Sequence, residues 1–548
     1  MRRKNQVRSW LLLVILCIII TNVRGQDKGI RNVIVMIPDG TSSSLLSIAR
    51  WYQCYTQPDR TRLSIDPYWC GAVKTHSSDA PIGDSAPTTS CYMTGQPSQT
   101  GFVSTYPVAT THDLVPIEAS RAYQPLATLL EVARVEQGKA AGLVFTCEFP
   151  HATPADCAAH SYNRGDYRSI SKQMVYNKID VLIGGGEHYL KPEYEQYLHE
   201  NGYEVIKSDI GRFRQTRARK LWALFAPESM PYDIDRDTAT YPSLAEMTRV
   251  ALQSLSTHSK GFFLMVEGSK IDWAAHDNDA KTMITEFLAF DDACKEALAF
   301  ARQDGHTLVV ILPDHGNSGI SLGNRDAGYD RLSLDTLMRP LTRQQVSAAR
   351  AANLLQQAPL ENMDSLLRYA LGLTPTTGDY QAILSHSEYT PSPLPKAQRI
   401  SPTSLTRTLT GMMNNQRFLG FTTHGHTGED VFLAAYHPNG KLPIGMNTNI
   451  DIHRYIAEQM RLKTPVSRWT DSLYMPHTRL CQDYTLVKDK DARVSHVKFT
   501  ARGHEIIAEI NTNEVVIDGK KIKLNAVVVY SAPNQTFYIS SEIRKYLK

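Results

Sequence analysis

The 548-residue chain is 42% hydrophobic and 21% charged, the balance of a globular protein with a large core. A formal net charge of +4, with no long basic run, gives no case for nucleic-acid binding. Eight irregularly spaced cysteines without a CxxC pair argue against a disulfide scaffold and against a thiolate metal module.

The first element is "MRRKNQVRSW" running into "WLLLVILCIII", a basic region followed by a short apolar one, with small residues after it in "NVRG". It reads as a signal peptide over residues 1–25, cleaved after Gly25. The apolar run is short for a membrane span, and a retained anchor is the alternative reading. Leu16 before Cys17 does not suit a lipoprotein. The expectation is an exported protein, periplasmic or secreted, with no stable membrane span after processing. Cys17 leaves with the signal, and the remaining cysteines leave room for one or two unassigned bridges.

From about Arg31 apolar strands alternate with helices. "NVIVMI" (Asn32–Ile37) leads into "PDGTSSS" and the helical "LLSIARWY". "AGLVFTCEF" (Ala141–Phe149) precedes "HATPADCAAH", and "IDVLIGGG" follows. "GFFLMVE" (Gly261–Glu267) leads to the amphipathic "TEFLAFDDACKEALAFARQ", and "HTLVVIL" (His306–Leu312) ends in "PDHG". Such a pattern predicts an α/β fold, a three-layer sandwich around a mainly parallel central sheet. In such folds the ligand crevice lies at the carboxyl ends of the strands. Between about 319 and 421 the chain turns polar and Pro-bearing, and reads as an insertion over one edge of the site. After about Pro465, short strands and turns predict a small β-rich domain over 466–548, following a main domain over 26–465.

Several strand ends carry chemistry. Asp39 follows the first strand, and Glu267 ends "LMVE". "GSKIDWAAH" sets Asp272 and His276 four residues apart on one helical face. Asp314 and His315 follow another strand, and "THGHTGED" supplies His424 and His426. Each feature alone has an ordinary explanation: Asp-Gly is a turn, an Asp/His pair is a solvated helix face, and Ser85 in "IGDSAPTTS" is one more polar loop residue. Together, carboxylates and imidazoles at several carboxyl ends of one sheet are what a zinc-type site with mixed ligands requires.

The motifs "PDG", "DSAPTTSCYMTG", "HATPADCAAHSYNR", "VEGSKIDWAAH", "PDHG" and "GHTGEDV" occur in this order from about Arg31 to Leu462, and the chain resembles the alkaline phosphatases. The resemblance implies hydrolysis of small phosphate monoesters. Ser85 would be the nucleophile, and Arg164 would bind the phosphate, held by Asp84. Asp39, Asp314 and His315 would hold one zinc with Ser85, and Asp272, His276 and His426 a second. Thr153 and Glu267, with Asp39 bridging, would hold a third ion, usually magnesium. His151 stands near that third site where some members have aspartate, which leaves the metal's identity open, since imidazole favours zinc. Trp273 and His424 would line the ligand shell. Family members are often dimers, so a homodimer is the expected assembly. Residues 466–548 also resemble the small N-terminal domain of copper amine oxidases, in "VVIDGKKIKL" and "TFYISSEIRKYL".

The alternatives are a phosphodiesterase or sulfatase of the same superfamily, or an exported binding protein with a decayed site. The sulfatase C/S-x-P-x-R setting is missing from "DSAPTTS", diesterases of the fold generally lack the Thr153/Glu267 pair, and no zinc ligand is lost.

Overall fold

The computed structural model describes residues 29–399 and 403–547, so the signal segment read over 1–25 lies outside the described residues. Ten strands form the main sheet: β1 (Asn32–Pro38), β2 (Trp69–Lys74), β3 (Ala140–Glu148), β4 (Val181–Gly185), β5 (Glu204–Lys207), β6 (Leu221–Leu224), β7 (Phe262–Gly268), β8 (Thr307–Ile311), β9 (Val431–Tyr436) and β10 (Gly445–Thr448). Their spatial order is β10-β2-β9-β8-β1-β7-β3-β4-β6-β5. Every neighbouring pair is parallel except the two that involve β9, so β9 alone runs against the sheet.

Strands β1, β7 and β8 are buried along their whole length, which their uninterrupted apolar runs require. Alternate side chains enter two separate cores. Val33, Val35 and Ile37 point to one, packed with Leu129, Leu130 and Val132 of the helix Leu129–Gln137. Ile34 and Met36 point to the other, packed with Leu45 and Ile48 of the helix Ser43–Thr56 and Phe287 of the helix Ala280–Asp304. The period of two along a strand thus produces the three layers.

The 319–421 excursion is closed at its base by an antiparallel pair, Ser321–Leu322 with Leu419–Gly420. Its helices from Ala348 onward share a core of their own around Leu355, Leu367, Leu409 and Met413, while Met338 and Leu341 of the helix Leu334–Thr342 join one of the main cores. Residues 484–523 form a five-stranded antiparallel meander. Two of its hairpins turn on Arg502-Gly503 and Asp518-Gly519, both pairs at positive φ as two-residue hairpin turns demand. Beyond the meander, Ala526, Val527, Val529 and Tyr538 join one of the main cores. The seven cysteines of the described residues are all free, so the bridges that the sequence left open do not form. No helix among the described residues is long and apolar enough to cross a membrane.

Candidate active site and metal centre

The site lies at the carboxyl edge of the sheet. Asp39 follows β1 directly, and Gly40 holds φ +60°, where a Cβ would sit 2.3 Å from Asp272 Oδ1. Only glycine fits there. Ser85 is the first residue of the helix Ser85–Thr94, with Asp84 at its N-cap, so its Oγ faces the positive end of the helix dipole. Pro87 occupies the third helical position, where an N–H would have no partner within the helix. Glu267 lies near the end of β7, and the helix Lys270–His276 then raises Asp272 and His276 one turn apart. Asp314 and His315 follow β8. His426 pairs with Asn317 in a short antiparallel bridge, and it reaches this edge because β9, running against its neighbours, starts there.

Three groups of side chains could each hold a metal ion: Asp39, Asp314 and His315; Asp272, His276 and His426; and Cys147, His151 and Glu267. In the first, His315 Nε2 lies 3.5 Å from Asp39 Oδ1 and 3.4 Å from Asp314 Oδ2. Ser85 Oγ joins it at 3.1 Å from His315 Nε2 and 3.4 Å from Asp39 Oδ1. In the second, His276 Nε2 is 3.2 Å from His426 Nε2 and 3.4 Å from Asp272 Oδ2. A tetrahedral ion with N and O donors at about 2.0–2.1 Å separates neighbouring donors by about 3.3–3.4 Å, which these spacings match.

Backbone carbonyls orient all three imidazoles. Nδ1–H of His315 donates to Gly316 O (3.1 Å), that of His426 to Gly83 O (2.8 Å) and that of His276 to His424 O (2.7 Å). In this tautomer each Nε2 lone pair points into the cluster, the arrangement metal-binding histidines adopt. His424 acts here through its main chain. Asn317 Nδ2 donates to Asp272 Oδ1 at 2.6 Å and fixes that carboxylate.

The electrostatics favour cations. Asp39, Glu267 and Asp314 are fully buried. Burial, then the charges of Asp314, Asp272 and Glu267, push the Asp39 pKa well above the carboxylate range. Burial above all lifts Glu267 to about 8. Burial and the Arg164 charge press His151 down to about 3, so its ring is neutral and able to ligate. Burial would lower His276, but the Asp272 carboxylate outweighs it and raises the imidazole to about 9, so below that pH Nε2 carries a proton that a bound metal ion would displace to free the lone pair. Asp39 Oδ2, Asp314 Oδ2, Glu267 Oε1, Thr153 Oγ1 and His151 Nδ1 are buried and accept or donate no hydrogen bond. The Thr153 hydroxyl lies beside the Glu267 carboxylate without closing one. Unpaired buried oxygens are costly, and divalent ions among these donors would satisfy them.

Arg164 approaches from the loop after the helix Ala152–Ala158. Its guanidinium pairs with Asp84 and lies 3.3 Å from His151 Nε2. Trp273 packs edge-on against His151, with ring centroids 5.8 Å apart.

The family model for alkaline phosphatase matches residues 30–462. The chain belongs to the alkaline phosphatase family. It is 31% identical to alkaline phosphatase 3 of Bacillus subtilis (strain 168) over 459 residues, 81% of this chain and 92% of that protein. It is 27% identical to the repressible alkaline phosphatase of Saccharomyces cerevisiae, across 74% of this chain and 76% of the relative. Among solved structures, the cold-active alkaline phosphatase of Shewanella sp. superposes with a TM-score of 0.67 at 25% identity, covering 78% of this chain and 99% of that one. The Thermus thermophilus alkaline phosphatase has the same fold, with a TM-score of 0.68 at 24% identity over 80% of this chain and 96% of that one. The protein is therefore an enzyme, a phosphatase, and phosphomonoester hydrolysis is the activity its family carries.

Relative to the residues legible in the motifs, this alkaline phosphatase site contains three additions. Asn317 was concealed in "PDHGN", where only Asp314 and His315 stood out. The carbonyls of Gly83, Gly316 and His424 carry no sequence signal. Cys147 had one, since it sits just before "EFPHATP" at a strand end, but a single cysteine without a second points nowhere by itself.

Proposed function

We propose that the enzyme hydrolyses phosphate monoesters to alcohol and inorganic phosphate through a phosphoseryl intermediate on Ser85, at a site of two zincs and a third divalent ion. The observation that carries the reading is the placement of Ser85 Oγ among the donors of Asp39 and His315 at the spacing of a metal tetrahedron. When bound, the zincs lower the pKa of the attacking oxygens and offset charge on the attacking and leaving ones. Asp39, Asp314 and His315 would hold the first, and Asp272, His276 and His426 the second. His151, Thr153 and Glu267 surround the place of the third.

The chain's own residues supply the rest. Ser85 Oγ gives up its proton to solvent and attacks phosphorus, while the helix N-terminus behind Ser85 favours the negative charge there. The ester P–O bond breaks, and the departing alkoxide takes a proton from solvent to leave as alcohol. Arg164 binds two nonbridging oxygens with its planar fork, and Asp84 keeps that fork aimed. Water then cleaves the Ser85–phosphate bond, releases phosphate and restores the hydroxyl.

The same reading takes the protein as exported after removal of residues 1–25, with a catalytic domain over 26–465 and a C-terminal unit over 466–548. The seating of Ala526 and Val527 in the main core supports a cap that packs on the catalytic domain. A homodimer is the proposed assembly. Metal analysis of the purified protein, combined with kcat/KM for matched aryl monoester and diester substrates, tests the proposal. Zinc in the preparation, loss of activity on chelation and a strong monoester preference are expected. Full activity in demonstrably metal-free protein overturns it.

A further inference from the structure

The third cluster contains a sulfur. Cys147 is fully buried near the end of β3, and its Sγ lies 3.5 Å from Glu267 Oε2. Its ligand atom, and one each from His151 and Glu267, all fall within 4.8 Å of one another. The position is fixed from behind, because the N–H groups of Thr146 and Cys147 both donate to Ser269 Oγ, at 3.2 and 3.1 Å. Around the Glu267 carboxylate that the thiol meets, Glu267 Oε1, Thr153 Oγ1 and His151 Nδ1 are buried without hydrogen bonds. The thiol therefore sits among unsatisfied ligand atoms, and its S–H donates a hydrogen bond to Glu267 Oε2.

We propose that Cys147 is a thiolate ligand of the third metal site and makes that site select zinc over magnesium. This rests on the reading that the third cluster binds a metal at all. Magnesium demands hard oxygen donors in an octahedron at about 2.0–2.1 Å and retains several waters, so a thiolate is foreign to it. Zinc accepts sulfur at about 2.3 Å and oxygen at about 2.0 Å, and a tetrahedron with those bonds puts S and O about 3.5 Å apart. The measured Sγ–Oε2 separation is 3.5 Å. On binding, the S–H bond breaks, sulfur bonds to the metal and the proton leaves to solvent. The thiolate and the Glu267 carboxylate then neutralise the dication, and neutral His151 completes a mixed S, N and O set.

Cobalt substitution tests the proposal with a signal that catalysis does not provide. Among the described residues no other cysteine belongs to a potential metal cluster, so a sulfur-to-cobalt charge-transfer band reports on Cys147. Protein loaded with three cobalts per chain should show the band, and Cys147→Ala and Cys147→Ser should lose it with their circular dichroism unchanged. Zinc-loaded wild type dialysed against excess magnesium should keep three zincs, whereas Cys147→Ser should keep two and take up one magnesium. Zinc affinity at that site should fall by about 10–100-fold or more. Three cobalts without the band refute the thiolate while leaving the third site standing. Two metals per chain and no band refute both.

Discussion

Replacing Arg164 with serine separates phosphate recognition from metal binding. The guanidinium has five N–H donors, and the structure commits one edge to Asp84 with His151 nearby, leaving others for an anion in the cleft. A hydrogen bond to a charged group contributes about 1.5–3 kcal/mol, so two that tighten in the transition state contribute about 3–6 kcal/mol. That corresponds to a loss of roughly 10²–10⁴ in kcat/KM for an aryl monoester. A diester carries less nonbridging charge for the fork to hold, so its kcat/KM should fall far less, and the monoester preference should narrow by a comparable factor. Arg164 is not among the metal donors, so zinc content should be unchanged. Asp84→Asn should give a milder loss of about tenfold, because the arginine stays but its charge-assisted anchor weakens. Kinetics on matched monoester and diester substrates, with metal analysis of the same preparations, check this. An equal fall for both esters, or loss of zinc, would show that Arg164 supports the fold rather than the phosphate.

Gly40→Ala should drive a methyl group into Asp272 Oδ1, 2.3 Å from the Cβ position, and remove about one zinc per chain along with activity; retention of full zinc content would refute the close packing. Glu131 is buried against His160, Tyr474 and Asn177, and although burial pushes its pKa up, His160 and the hydrogen bonds prevail and hold it at about 2. A depressed carboxylate stabilises fully above its ordinary value of 4.5 and loses that contribution as pH falls toward 2. The stability gap between wild type and Glu131→Gln in urea should therefore narrow as pH drops below about 4.5 toward 3. A gap independent of pH would falsify the linkage. Unfolding the protein processed after residue 25 without reductant should expose seven reactive thiols, because every cysteine in the described residues is free; a lower count would mean a bridge.

Much of the catalytic sheet was legible because its central strands are buried on both faces and so read as unbroken apolar runs. Their carboxyl ends carry Asp39, Glu267, Asp314 and His315, and local motifs at strand ends survive in sequence order. Less legible was whatever depends on partners remote in the chain. Asn317 matters through Asp272, and Gly83 matters through His426, 343 residues away. The antiparallel course of β9, which delivers His426 to the shared edge, is a topological fact that periodicity does not encode. Cys147 lies inside the apolar strand run "AGLVFTCEF", and only the pairing of β3 with β7 brings its sulfur against Glu267. The small C-terminal strands were easier, because turns such as Asp518-Gly519 announce themselves.

The central claim is that Ser85 carries the phosphoryl group. Zinc-loaded enzyme incubated with labelled phosphate monoester, quenched in acid and digested, reports it directly by peptide mapping. The account predicts label on the peptide containing Ser85, mapped to that residue, and none in Ser85→Ala. Label on another residue, or the same label in Ser85→Ala, would contradict it.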